Sequence, residues 1–389
     1  MMTALKRALA LGAALALALA CAQALAAPLE EGTPVSVASP SAMLLEAQTG
    51  AVIFEKNADE RLQVASLVKL MTVLLCLEDV ESGAASLQDE VTVSAQAAAQ
   101  IGSQALLDAG AVYALGDLLH ATIVASANDA AYALAEYLAG TEAAFVQRMN
   151  ARARELGMAD TLYTNCTGLP DAAQYTTARD VAVLSREVCA HPDYFTHASV
   201  WMDTLVHPSG RVTDLTNTNR LVRFYEGCDG LKTGSADAAK YCLSATAQKD
   251  GMRLIAIVLG ASTSQARFDE ARAMLDYGFA GYRRTTVVQK GDRLGLTVPV
   301  RLGMADGVEA AAGAGLSLLL KLGQERELSL EVELPQQVDA PVKEGDALGV
   351  VRVVLGGQVI ARLPAVAAHS VGMPGLLEGL LTIARNWEP

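Results

Sequence analysis

Ser66 and Lys69 are a pair whose types and spacing could support covalent chemistry. A helix turns once per about 3.6 residues, so a hydroxyl and an amine three positions apart lie on one face, within reach of each other. The residues that follow, through Leu77, are almost all apolar, which predicts a helix buried in a domain. Burial lowers the pKa of a lysine, so Lys69 could take the Ser66 proton near neutral pH. Alone, the short and common motif fits a helix cap and a surface lysine better.

Two further motifs supply polar groups that such a nucleophile needs. Ser126-Ala127-Asn128 lies between two helical segments, and Lys232-Thr233-Gly234 precedes a predicted pair of strands. Each is weak alone, because the first also suits the start of a helix and the second the end of a strand. Together, in the order S-x-x-K, S-x-N and K-T-G, the three motifs resemble the signature of the penicillin-recognising serine acyltransferases.

The surrounding pattern predicts strands at both ends of a helical region. Two short strands are expected within residues 35–55 and two more within 241–260, whereas residues 78–191 are mostly helical and another helix follows over 267–277. We therefore expect an α/β fold of the α+β type, in which an antiparallel sheet is flanked by helices and carries an inserted helical subdomain. The helix of Ser66 would lie at the junction.

The composition changes after Tyr282, where short β patterns replace helical ones. We predict a small all-β domain over residues 284–368 and a C-terminal amphipathic helix over 369–389, which would contact a membrane surface or pack on the β domain. Similar Gly-Asp turns at Gly291 and Gly345 indicate either an internal repeat or, more simply, two uses of one turn.

The N-terminus has the order of a secretory signal. Lys6 and Arg7 precede an Ala/Leu-rich run over residues 8–20 and small-residue cleavage sites. Residues 1–27 are therefore predicted to be a signal peptide, with an uncleaved membrane anchor as the less favoured alternative. The mature peptidase domain would span residues 28–283 and act at the outer face of the cytoplasmic membrane or in the cell-wall space.

Charge and composition argue against several classes of function. A formal net charge of -13 repels nucleic acid. The six cysteines include no C-x-x-C pair, and the five histidines include no pair four residues apart. We therefore expect no disulfide framework, no metal site and no cofactor.

The text around the motifs resembles one family, the low-molecular-weight penicillin-binding proteins that act as serine-type D-alanyl-D-alanine carboxypeptidases. The resemblance is strong over about residues 34–282 and rests on five segments: 65–72, 175–180, 217–219, 228–234 and 250–260. It implies a β-lactamase/transpeptidase-like fold and an enzyme that removes the terminal D-Ala of peptidoglycan stem peptides. It also implies that β-lactams acylate the nucleophile.

The resemblance gives the first two motifs catalytic roles. Ser66 would attack the carbonyl carbon of the D-Ala-D-Ala bond, with Lys69 as the base. Ser126 would relay a proton to the leaving amine, and Asn128 would bond to Lys69 or to the substrate amide.

The strand motif would bind the substrate. Lys232 would keep Lys69 neutral and attract an anion, Thr233 would donate to the terminal carboxylate, and Gly234 would let the substrate backbone approach. The N–H groups of Ser66 and Ser235 would form the oxyanion hole.

Arg267 matches an arginine that the family places near the substrate carboxylate, although a surface ion pair with the neighbouring Asp269 and Glu270 is an equal alternative. Two features depart from the family. Residues 164–169 lack its usual Pro and His, so this loop is given no catalytic part. Ser235 replaces a more usual His, Tyr or Thr.

Two other functions share these motifs. A serine β-lactamase would need a carboxylate to activate the deacylating water, and no Glu-x-x-Leu-Asn lies between Asn128 and Lys232. The all-β domain also disfavours it. A penicillin-binding sensor, whose acyl-enzyme forms without turning over, would have the same motifs, because deacylation depends on geometry.

Overall fold

The computed structural model describes residues 35–375. The predicted signal peptide and residues 376–389 of the predicted C-terminal helix lie outside this range. The chain forms two compact units that divide between Gly281 and Tyr282. Within residues 35–375, no helix combines the length and apolar character needed to cross a membrane.

The first unit contains one five-stranded antiparallel sheet, in the order β2-β1-β9-β8-β7, and two small antiparallel pairs, β3-β4 and β5-β6. Central strands β8 and β9 are buried along most of their length, because helices cover both faces of the sheet. The strands are β1 (Ser41–Glu46), β2 (Val52–Lys56), β3 (Glu90–Thr92), β4 (Val112–Ala114), β5 (Met202–Val206), β6 (Val212–Thr216), β7 (Cys228–Ala236), β8 (Lys240–Lys249) and β9 (Met252–Ala261).

All but one of the α-helices of this unit lie between β2 and β7. Only the last, α9, follows the sheet, and it packs on β8 and β9. The helices are α1 (Lys69–Glu81), α2 (Ala95–Ala98), α3 (Leu115–Val124), α4 (Asn128–Ala139), α5 (Glu142–Glu155), α6 (Ala178–Cys189), α7 (Pro192–Ala198), α8 (Leu221–Phe224) and α9 (Ser264–Gly281). The predicted α+β architecture is confirmed.

Helix α1 is the central helix of this unit. Every residue from Lys69 to Leu77 is buried, and Leu70 and Leu74 belong to one core with the apolar faces of the neighbouring helices. Burial of each such leucine contributes about 1.5–3 kcal/mol. The helix ends just before Gly83, whose φ of +77° does not continue a helix. The predicted helix start differs in one respect, because the turn with Ser66 (Ala65–Val68) is a 3-10 turn.

The second unit is built from strands, as its sequence predicts. A six-stranded sheet has the order β14-β16-β17-β12-β11-β15, and β10 pairs with β13. The strands are β10 (Tyr282–Val288), β11 (Arg293–Arg301), β12 (Gly307–Ala312), β13 (Leu316–Lys321), β14 (Leu328–Glu333), β15 (Val338–Asp339), β16 (Ala347–Leu355) and β17 (Gln358–Ala367). Residues 369–375 contain no helix, contrary to the predicted helix start, because the backbone of Val371 pairs with that of Val342.

The Gly-Asp turns of this unit share one hydrogen-bond pattern. Gly291 and Gly345 have φ values of +92° and +85°. Asp292 and Asp346 each accept a backbone N–H from three residues earlier, at 2.7 and 2.8 Å. The N–H of Gly291 donates to the carbonyl oxygen of the last residue of β12 at 2.7 Å, and that of Gly345 donates to the carbonyl oxygen of the last residue of β17 at 2.9 Å. The first turn leads into β11, which pairs with β12, and the second turn leads into β16, which pairs with β17. The pattern therefore extends beyond the turns, and the two segments form an internal structural repeat.

Five cysteines lie within the described residues, and all are free thiols: Cys76, Cys166, Cys189, Cys228 and Cys242. Burial raises the pKa of the Cys76, Cys189 and Cys228 thiols to about 12 and that of Cys242 to about 11. In the same part of the chain, no group of three or more His, Cys, Asp or Glu side chains is placed to hold a metal ion.

Candidate active site

The side chain of Lys69 is completely buried and lies at the centre of the candidate site. Its Nζ is 3.0 Å from the Oγ of Ser66, 2.5 Å from the Oδ1 of Asn128 and 2.6 Å from the carbonyl oxygen of Thr167. Asn128 Oδ1 and the carbonyl can only accept, whereas the Ser66 hydroxyl can donate. The three groups can therefore accommodate a neutral amine whose two N–H donors face Asn128 and Thr167 and whose lone pair faces Ser66, and the Ser66 hydroxyl can equally accept from the charged form.

Electrostatics favour that neutral form. Burial lowers the pKa of Lys69 to about 7, while the negative charge of Asp129 opposes the shift. Burial also lowers the pKa of Lys232 well below its usual value, and the charges of Lys69 and Arg267 lower it further. Burial therefore accounts for the neutral form of Lys69, and the charge of Lys232 is not needed for it.

Unusual backbone conformations occur directly before Ser66 and at Ser126. Ala65, directly before Ser66, has a φ of +49°, and Ser126 has a φ of +61°. Such left-handed conformations cost residues other than glycine about 1–3 kcal/mol and occur mostly where the surrounding structure imposes them.

Two glycine backbones hold the Ser66 turn between them. A Cβ atom on Gly168 would lie 2.1 Å from the carbonyl oxygen of Ala65, and one on Gly234 would lie 2.2 Å from that of Val64. No real side chain fits at these distances. The turn with the nucleophile therefore packs directly on the main chain of the 164–169 loop and of β7.

The S-x-N motif occupies the break between α3 and α4. Ser126 and Asn128 are both almost fully buried. Asn128 contacts Lys69, but within residues 35–375 no hydrogen bond joins the Ser126 hydroxyl to Ser66 or Lys69. Asn128 is fixed on its other side by the carbonyl oxygens of Ile101 and Ser103, at 2.5 and 2.7 Å.

The K-T-G motif and Ser235 lie on β7, the edge strand of the sheet. Lys232 and Thr233 are buried, and the Thr233 hydroxyl donates to Thr218 Oγ1 at 2.7 Å. Because β7 is an edge strand, an extended peptide can pair with its outer backbone edge. The missing side chain of Gly234 instead makes room for the Ser66 turn.

Arg267 lies behind this strand and not on the surface. It is 7% exposed, and its Nη1 donates to the carbonyl oxygen of Gly234 at 2.9 Å and to Ser235 Oγ at 3.0 Å. Burial lowers its pKa to about 10. The alternative of a surface ion pair is wrong, because Asp269 accepts from Gln265, and Glu270 accepts backbone N–H groups at Ala38 and Ser39.

The 164–169 loop contributes backbone contacts to the site, although its residue types did not indicate this. Thr167 contacts Lys69 through its backbone carbonyl, and the carbonyl of Cys166 accepts from Thr72 Oγ1 at 2.7 Å. Asn165 Oδ1 holds the loop by accepting the N–H groups of Thr167 and Gly168. Every residue has a main-chain carbonyl, so residue type could not indicate the contact of Thr167 with Lys69. Gly168 was the one feature of the loop sequence that could have indicated its close packing on the site.

Comparison with known proteins identifies the same family that the sequence motifs resemble. Residues 27–263 match the family described as D-alanyl-D-alanine carboxypeptidase, and residues 282–372 match the C-terminal domain of penicillin-binding protein 5. The chain is 35% identical over 348 residues to the D-alanyl-D-alanine carboxypeptidase DacF of Bacillus subtilis, covering 89% of each protein. It is 33% identical to DacC of Escherichia coli, covering 86% of this chain and 85% of that protein.

Solved structures agree with the sequence matches. Penicillin-binding protein 5 from Haemophilus influenzae is similar to this chain with a TM-score of 0.76 and 28% identity, over 88% of this chain and 99% of that one. Penicillin-binding protein 6B from Escherichia coli gives a TM-score of 0.72 and 27% identity, over 86% and 96%. These matches confirm the resemblance seen in the sequence. This chain therefore belongs to the D-alanyl-D-alanine carboxypeptidase family.

Proposed function

We propose that the protein removes the terminal D-alanine from peptidoglycan stem peptides that end in D-Ala-D-Ala, through an ester on Ser66. The observation that carries this proposal is the set of three contacts at Lys69 Nζ. They suit an amine whose lone pair faces the Ser66 hydroxyl, which is what activation of a serine nucleophile requires.

Acylation begins when Lys69 takes the proton of Ser66 and the oxygen attacks the carbonyl carbon of the scissile bond. The N–H groups of Ser66 and Ser235 stabilise the oxyanion, and loss of one such donor typically costs about 100- to 1000-fold in rate. Ser126 passes a proton to the departing nitrogen as the C–N bond breaks and takes one in turn from the Lys69 ammonium, so D-alanine leaves as the free amine. Water then hydrolyses the Ser66 ester and frees the shortened peptide.

The substrate carboxylate binds at β7. Thr233 offers a hydroxyl, while Lys232 and Arg267 supply positive charge. Arg267 is already bonded to Gly234 and Ser235, so it also fixes the strand that the substrate pairs with. A β-lactam enters as an analogue of this substrate. Its ring amide opens on Ser66, and the amine that forms stays attached to the resulting ester. No leaving group departs, so the drug is a covalent inhibitor.

We propose that this chemistry takes place outside the cytoplasm, where stem peptides are exposed. The signal-like order of residues 1–27 supports export. A peptidase domain over 28–283 and an all-β domain over 284–368 agree with the division of the chain after Gly281. The remaining part of the predicted C-terminal helix, residues 376–389, would provide peripheral membrane contact. The reaction as written uses no cofactor.

The test is to incubate the mature protein with a D-Ala-D-Ala peptide and with penicillin, and to measure D-Ala release and intact mass. We expect rapid release and a penicilloyl adduct that is hydrolysed slowly. Ser66→Ala should abolish both. Ser185→Ala is the matched control, because this buried serine bonds to Ser244, not to Lys69.

Three outcomes would contradict the proposal. Rapid penicillin hydrolysis without D-Ala release would indicate a β-lactamase, and a permanent adduct without turnover would indicate a sensor. Unchanged activity of Ser66→Ala would remove the mechanism altogether.

A further inference from the structure

Asp129, the second residue of α4, is a completely buried carboxylate next to Asn128. Its Oδ1 accepts the backbone N–H of Ala105 at 2.9 Å, and its Oδ2 accepts that of Leu107 at 3.0 Å. A buried carboxylate without such donors would be strongly destabilising. Asp129 and the loop over residues 101–107 therefore hold each other in place.

The shape of the loop follows from this contact. Leu106, between the two donors, has a φ of +61°, and its side chain is 51% exposed. A left-handed backbone conformation costs a leucine about 1–3 kcal/mol. Because Leu106 is exposed, burial of its side chain does not offset that cost. The conformation does bring the two flanking N–H groups onto one carboxylate, so Asp129 accounts for it.

The same loop fixes the amide of Asn128. The carbonyl oxygen of Ile101 accepts from Asn128 Nδ2 at 2.5 Å, and that of Ser103 accepts from its backbone N–H at 2.7 Å. A Cβ atom on Gly102 would lie 2.9 Å from Nδ2, so the loop lies directly against the amide. With Nδ2 held by Ile101, Oδ1 is left to accept from Lys69.

We propose that Asp129 is a positioning residue for Lys69. It acts through the 101–107 loop to orient the amide of Asn128, which in turn orients the Lys69 amine so that its lone pair faces Ser66. This inference rests on the proposed function, because it assigns Asp129 a role in the same acylation step without any contact to substrate.

The charge of Asp129 provides a second, separable effect. The titratable groups that interact with Lys69 lie on three elements: Cys166 in the 164–169 loop, Asp129 on α4 and Lys232 on β7. The negative charge of Asp129 raises the pKa of Lys69 and so opposes the effect of burial. Removal of that charge should lower the pKa, and acylation should then persist to lower pH.

The experiment compares Asp129→Asn and Asp129→Glu in the mature protein. Steady-state peptide hydrolysis gives kcat and KM, and penicillin acylation rates from pH 5 to 9 give the pH midpoint. Misplacement of a reacting group by about 1 Å can cost about 100-fold, so we expect kcat to fall by about 10- to 100-fold in both variants, with KM changed less than about twofold. The pH midpoint should move down in Asp129→Asn and stay unchanged in Asp129→Glu.

Asp180→Asn is the control for loss of a buried carboxylate. Asp180 accepts the backbone N–H of Asp160 at 2.9 Å and the Thr161 hydroxyl at 2.7 Å. It should lose thermal stability while its kcat, scaled to the folded fraction, and its pH midpoint stay at wild-type values.

The inference is wrong if Asp129→Asn keeps the wild-type kcat per folded molecule, or if its pH midpoint does not move down. If Asp129→Asn does not fold, wild-type kcat in Asp129→Glu overturns the inference. Wild-type protein that neither releases D-Ala nor forms a penicilloyl adduct would instead refute the proposed function itself.

Discussion

The carbonyl oxygen of Thr167 lies 2.6 Å from the Nζ of Lys69. With Asn128 Oδ1 as the second acceptor, the loop carbonyl takes up the N–H groups of a neutral lysine. A protonated lysine would direct its third N–H at Ser66 Oγ, where the lone pair is needed. The family motif of a serine and a lysine therefore depends here on a backbone group from outside the motif.

Acylation of Ser66 by penicillin should rise with pH around pH 7. Below the Lys69 pKa of about 7 the amine is charged and cannot take the Ser66 proton, so the rate should fall about tenfold per pH unit. Above it the rate should level off. Rapid-mixing rates from pH 5 to 9 test this, and a rate that falls as pH rises through 7 would contradict it.

Lys69→Arg should remove this pH dependence together with most of the activity. The guanidinium of arginine stays charged throughout the range, so it cannot act as the base. We expect a loss of about 10²- to 10⁴-fold in acylation, measured by intact mass over time. Lys56→Arg is a suitable control, because Lys56 bonds to backbone carbonyls at Val37 and Ser39, away from the site.

Arg267→Ala should affect substrates with a free terminal carboxylate most. Removal of a buried guanidinium costs about 2–5 kcal/mol where its partners stay behind unpaired, and those partners here are Gly234 and Ser235 on the substrate strand. The measurement is kcat/KM for a peptide and for its C-terminal amide. Wild-type protein that cleaves both equally would argue against a carboxylate-reading role.

Gly234→Ala should block acylation because its Cβ would lie 2.2 Å from the carbonyl oxygen of Val64, next to the nucleophile. We expect a loss of at least about 100-fold in kcat/KM. Gly281→Ala is the matched control, because no atom lies within 4 Å of its Cβ position and its φ is not positive. Equal activity of the two variants would show that the Ser66 turn moves freely relative to β7.

The repeat in the β unit predicts equal effects of two distant substitutions. Asp292→Ala and Asp346→Ala each remove a carboxylate that accepts one backbone N–H in an equivalent turn. Each should lower the free energy of unfolding by about 1 kcal/mol and leave acylation unchanged. Urea unfolding measures both, and the double variant tests additivity. A large effect at one turn alone would mean that the two turns are not energetically equivalent.

Sequence reasoning succeeded where side-chain type determines the chemistry. Ser66, Lys69 and Asn128 could be placed together because a helical turn and three short motifs restrict the possible arrangements. Thr167 could not, since it contributes only a carbonyl oxygen. The role of Asp129 depends on a loop more than twenty residues earlier in the chain, so no local pattern indicates it.

The fold shows the same division. Hydrophobic periodicity and turn residues predicted four of the five strands of the main sheet and the longer helices of the first unit, but not β7 or the pairs β3-β4 and β5-β6. Short β patterns predicted the strands of the second unit. The predicted helix start at residue 369 was wrong because Val371 forms an isolated antiparallel bridge with Val342, much earlier in the chain. Long-range backbone pairing of this kind overrides local pattern.

The five free thiols have a practical consequence. Their raised pKa values keep them protonated, and so poorly reactive towards alkylating reagents, at neutral pH. A cysteine introduced at an exposed position such as Leu106 would therefore react first with a maleimide fluorophore. Because Leu106 belongs to the loop that contacts Asn128 and Asp129, such a probe would report motion of that loop during turnover.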